Sequence, residues 1–178
     1  MRSMKPHDGF SLPRLLGLLA LASLLAPGTS AQDKPETPAP AAGIDFDGPA
    51  STALAAMKAR AEALHVAGVA VVAYAEGDSV TLWSSKMLVV GNMTKPPSPN
   101  DKGSNLLAIA YAKAAEMAST LKDSGSGIRP LLTGELGWKG GVVARGRSGV
   151  LIAAFSGGRS EDDVQVSKAG LGVLANSL

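Results

Sequence analysis

The chain contains no cysteine. That excludes a disulfide framework, thiolate metal sites, a lipid-modified cysteine anchor and C-x-x-C-H haem attachment, and it leaves stability to the apolar core. Histidine is almost as scarce. Of two histidines in 178 residues, His7 falls in a leader-like segment, so His65 is the one left to the folded part. A multi-histidine metal centre and a Ser-His-Asp triad with a choice of bases are nearly closed off. Neither sign of charge is in large excess: 17 Lys and Arg stand against 15 Asp and Glu, net +2. Residues 1–31 hold Arg2, Lys5, Arg14 and Asp8, so the remainder is neutral. Without a basic field, neither nucleic acid nor an anionic membrane is an expected partner.

What is present begins with a basic segment followed by LLGLLALASLLA (Leu15–Ala26) and the small-residue stretch PGTSA. The apolar run is too short to span a ~30 Å hydrocarbon core as a helix. The pattern reads as a signal peptide over residues 1–31, cut after Ala31, which makes the mature protein periplasmic or secreted without a membrane anchor. Residues 32–44 are Pro- and Ala-rich and read as a tether. A single domain is expected over residues 45–178.

Within that domain, PASTALAAMKARAEALHVAG carries Leu54, Met57, Ala61 and Leu64 at helical steps, with Gly68 placed as a stop. VAVVAY (Val69–Tyr74) and VTLWSS (Val80–Ser85) flank AEGDS as a β-hairpin, and MLVVG extends its second strand or starts another. NMTKPPSPNDKG is a loop. SNLLAIAYAKAAEMASTLKD is an alanine-rich helix. Val142–Ala144 and Val150–Phe155, joined by RGRSG, form a second hairpin, and a last helix follows Ser160. The order α-β-β-α-β-β-α predicts an α+β domain: an antiparallel sheet of about five strands, covered by helices on one face.

Few residues carry candidate chemistry. His65 is either a metal or haem-iron ligand through a neutral imidazole or a helix-end histidine set against the C-terminal dipole. On a 3.6-residue helix, Ile109, Lys113 and Met117 lie at about 300°, 340° and 20° from Leu106, so Lys113 projects within the apolar arc. It is either an anion anchor, for a carboxylate or propionate, or the partner of a nearby acid. Glu116, three residues on, is the one internal acid near it, and equally a helix-surface salt bridge. Tyr74, Tyr111, Met87 and Met117 either reach a flat ligand or fill the core. Ser160 with Asp163 has the spacing of a capping box, and Glu161, Asp162 and Asp163 in the first turn argue against bound phosphate.

SGGRSEDDVQVSKAGL (Ser156–Leu171) resembles the C-terminal signature of the GlcG/HbpS-like haem-binding family, a pattern like SGG-x4-D-x2-V-A-x-A-G-L. Ser156, Gly157, Gly158, Asp163, Val166, Ala169, Gly170 and Leu171 match, and Ser167 replaces the usual alanine. Gly140–Gly141 resembles a Gly-Gly element of the family. IAYAKAAEMA is similar to its central helix, with Lys113 as the matching lysine, and Lys86-Met87 resembles an Arg-Met pair. AYAEGDSV and LIAAFSGG depart from the glycine-rich forms usual there.

The resemblance implies a profilin-like single domain, assembly into homo-oligomers, and non-covalent binding of haem or another small planar ligand in haem or iron handling. Some members degrade haem, and others accompany small-acid metabolism. An apolar slot would take the macrocycle, and His65, Tyr111, Tyr74 or a methionine such as Met87 would supply one axial ligand. Lys113 or Lys86 would sit near the propionates. The rival expectations are an oligomeric accessory module of the same fold that has lost its ligand, and an enzyme acting on haem or on a small acid, for which the sequence offers no strong acid/base or nucleophile constellation.

Overall fold

The computed structural model describes residues 44–178. The expected signal peptide and nearly all of the tether lie outside these residues. Helix α1 (Asp47–Ala63) is followed by β1 (Gly68–Glu76) and β2 (Ser84–Val90). A short ribbon of β3 (Thr94–Lys95) and β4 (Ser104–Asn105) brackets the proline-rich loop. Helix α2 (Leu106–Thr120), strands β5 (Gly141–Arg145) and β6 (Gly149–Ser156), and helix α3 (Ser160–Ser177) complete the domain. The main sheet is antiparallel, four-stranded, and ordered β2-β1-β6-β5.

The α+β class and the element order are as expected. The strand number is four in the main sheet plus two in the ribbon, rather than five in one sheet. Helices also cover both faces, not one. Ala70, Val72, Tyr74, Leu151, Ala153 and Phe155 pack under α1 and α3, while Val69, Val71, Ala73, Val150, Ile152 and Ala154 pack under α2. The physical reason is visible in β1 and β6. Their sequences are unbroken apolar runs, and strands buried on both faces need no alternation.

Three local readings are corrected. Val80–Trp83 is not strand: β2 starts at Ser84, so that Met87 and Val89 meet the α2 face while Leu88 and Val90 meet the α1 face. Helix α1 ends at Ala63, well before Gly68, and His65, just past the C-cap Leu64, takes a φ of 55°. Val66 N–H donates to Ala61 O and His65 N–H to Glu62 O, both at 3.0 Å, which is a complete Schellman motif with histidine in the position usually held by glycine. The capping box is not formed either. Arg159 is the N-cap, without a side-chain cap bond, and Ser160 is already helical. The Asp163 carboxylate is engaged elsewhere.

Candidate functional site: a buried ion pair and an apolar groove

Helix α2 carries Lys113 inward, as its angular position requires, and the side chain is 3% exposed. Of its two readings, the structure shows the ion pair. Lys113 Nζ lies 2.8 Å from Asp163 Oδ2 and donates to the Phe155 carbonyl at 2.7 Å. The other carboxylate oxygen, Oδ1, accepts from Gly158 N–H at 2.8 Å. One acid on α3 thus holds a lysine from α2 and the Ser156–Gly158 turn together. Gly140 makes this possible: a Cβ there, at φ 130°, would sit 2.3 Å from Lys113 Nζ. The hydroxyl of Ser167, the residue that departs from the family pattern, donates to Gly140 O at 2.7 Å.

Burial pushes the Lys113 ammonium below the ordinary lysine value, against the pull of Asp163. Burial likewise raises the Asp163 carboxyl, against Lys113 and the amides of Gly158 and Gly157. The turn amides therefore already hold an anion, the protein's own. Above the pair lies a cleft of about 180 Å³ bordered by Leu106, Ile109, Trp138 and Lys139. That is below the ~300–1,000 Å³ of sites that enclose a drug-sized ligand. Glu116 does not meet Lys113. It is buried and accepts from Gly125 N–H at 2.8 Å.

A roomier place lies across the sheet. Between α1 and the edge strand β2, Leu54, Ala55, Lys58, Lys86, Met87 and Leu88 border a predominantly apolar groove of about 430 Å³. Lys86 pairs with Asp47 at 3.1 Å and Lys58 with Glu62 at 2.6 Å, and both ammonium groups remain partly exposed. Exposed pairs of this kind contribute little, so either lysine can exchange its carboxylate for another anion. Lys86 and Met87 were legible as candidates. Lys58 and the groove itself were not, because they depend on α1 lying against β2.

The remaining candidates are dispersed. His65 is exposed at the end of α1. Tyr111 reaches Ser85, with its hydroxyl 3.4 Å from Ser85 Oγ. Tyr74 is buried, stacks on Phe46 and donates to Ser148 Oγ at 3.0 Å. Met117 is fully buried under the sheet. In the signature, Ser156, Gly157, Gly158 and Asp163 border the small cleft, while Gly170 faces Met57 of α1 and Ala169 is half-buried. Among the described residues, no group of three or more acidic, histidine or cysteine side chains could hold a metal ion. No helix there is long and apolar enough to cross a membrane.

No family model, curated protein or solved structure matches the chain.

Proposed function

We propose that this protein is an exported, non-covalent binder of haem or a related tetrapyrrole, seated in the groove between α1 and β2. The carrying observation is the meeting of an apolar groove of about 430 Å³ with two partly exposed lysines at its border. Its chemistry fits the group: Leu54, Ala55 and Leu88 suit the macrocycle, and Lys58 and Lys86 suit the propionates. Bound haem would supply its iron chemistry there; Met87 borders the groove, but its side chain lies on the opposite, α2 face of the sheet and is not an iron ligand for it. Binding in the groove therefore rests on apolar contact and propionate pairing.

Titration with hemin and with metal-free protoporphyrin IX tests this. Both should bind near one per chain with similar affinity, and Ala55→Arg, which fills the groove from an exposed position, should abolish binding of both. No spectral shift at stoichiometric ligand, or Ala55→Arg binding like wild type, refutes the reading. The accessory-module reading is favoured by a different observation. Glu135, held down to about 2 chiefly by its hydrogen bonds from Arg129 and the Leu132 amide, clips the 128–138 segment. Ile128, Leu131, Leu132 and Trp138 are exposed along it. Absence of a chromophore at any hemin ratio would leave that reading standing.

A further inference from the structure

The two edges of the sheet are treated differently. Successive residues of an antiparallel strand direct their N–H and C=O groups to alternate sides. Phe155 N–H donates to Gly140 O, and Gly146 N–H to Gly149 O. Odd-numbered residues of β6 therefore bond to β5 and even-numbered ones to β1. With Val71 opposite both Ala154 and Met87, odd β1 residues bond to β6 and even ones to β2. The groups left pointing outward belong to Gly141, Val143 and Arg145 on β5, and to Ser85, Met87 and Val89 on β2.

The β5 edge is largely closed. Gly141 N–H donates to Ser124 Oγ at 2.8 Å, Ser124 N–H donates to Gly141 O at 3.2 Å, and Val143 N–H donates to Asp123 Oδ1 at 3.0 Å. On β2 the outward backbone groups meet no partner among the described residues. The strand also lacks the usual protections of an edge: no proline, no bulge and a single charge, Lys86.

We infer that this edge is completed by a second copy of the chain, β2 against antiparallel β2 about a twofold axis at Met87. Only extended backbone satisfies a row of alternating donors and acceptors, and a second β2 does so in register. Met87 falls opposite Met87 and Ser85 opposite Val89, so every outward group of both strands is paired. Lys86 falls opposite Leu88, and no like charges face each other. The tether is a poor rival, because Pro35, Pro38 and Pro40 have no N–H to give. Where the chain enters β2, Leu82 is 83% exposed beside a depression of about 380 Å³ lined by Val80, Trp83, Ala115 and Ala118. This apolar surface is available to a second copy, and the interface would be isologous.

The inference stands apart from the ligand reading, and its test uses ligand-free protein. Sedimentation velocity at micromolar concentration should show a dimer. Val89→Pro removes an outward donor without touching the ladder to β1, and should give a monomer with an unchanged far-UV spectrum. The chain has no cysteine, so Met87→Cys reports its own symmetry mate. Opposed residues of a bonded pair lie ~5.5 Å apart, within disulfide range, and mild oxidation should link the dimer covalently. Ser84→Cys, which falls opposite Val90, should link much more slowly. A monomeric wild type, a dimer untouched by Val89→Pro, or equal linking at positions 84 and 87 overturns the proposal. Failure to bind hemin would leave all three results unaffected.

Discussion

Separating Lys113 from Asp163 should destabilise the domain far more than removing both. The pair is 3% and 5% exposed at 2.8 Å, and deleting one member of such a pair leaves an uncompensated buried charge, at about 3–5 kcal/mol. Lys113→Met leaves a carboxylate with its amide bonds and no cation, and deprives Phe155 O of its donor. Asp163→Asn keeps an acceptor for Gly158 N–H but leaves the ammonium with one carbonyl. The double variant buries no charge and loses hydrogen bonds alone, at about 1–2 kcal/mol. Urea denaturation at neutral pH should thus give two large losses and a double variant milder than either.

The pH dependence carries a sign that packing loss alone cannot mimic. In Lys113→Met the raised Asp163 carboxyl loses its main opposing influence. The folded state then holds that proton more tightly than the unfolded chain, so the missing stability returns as pH falls through the raised value. In Asp163→Asn the depressed Lys113 ammonium loses Asp163, and stability returns as pH rises. Single variants within about 1 kcal/mol of wild type, or a double variant equal to the sum of the singles, would refute the assignment.

Two further outcomes follow from the packing. His65→Gly should stabilise the domain by about 1 kcal/mol, read by thermal unfolding, because the left-handed conformation at the end of α1 burdens a side chain and not glycine. It should leave hemin binding unchanged. Gly170→Ala should cost about 1–3 kcal/mol, since a Cβ there would lie 2.5 Å from both Met57 Cγ and Sδ. Adding Met57→Ala should give less than the sum of the two single losses by denaturant titration, because the new methyl occupies space the methionine vacates.

The helices and the inner strands were legible because their residues are chosen by burial. Alanine-rich stripes at three- and four-residue steps and uninterrupted valine-rich runs leave few alternatives. The uninterrupted runs also announced a sheet covered on both faces, which reading the strands merely as hairpins overlooked. Element ends were less legible because they are set by hydrogen bonding across space: His65, not Gly68, completes the Schellman bonds of α1. The site was the least legible part. The angular position of Lys113 showed that it needed a partner. Glu116 was near in sequence, but Asp163 sits 50 residues away. The α1–β2 groove has no local signature, since its two walls meet only once β2 has paired with β1.

The partners of Lys113 lie 42 and 50 residues along the chain, on β6 and α3. Until α2 docks, the ammonium and the carboxylate are both hydrated, so docking strips water from two charges in one event. That event can gain its compensation only when the Ser156–Gly158 turn is in place to hold the carboxylate. The knot therefore belongs to the native side of the folding barrier, and breaking it should quicken unfolding while leaving the refolding rate nearly as it was. A buried pair of modest net worth at equilibrium can in this way govern how long the folded chain lasts.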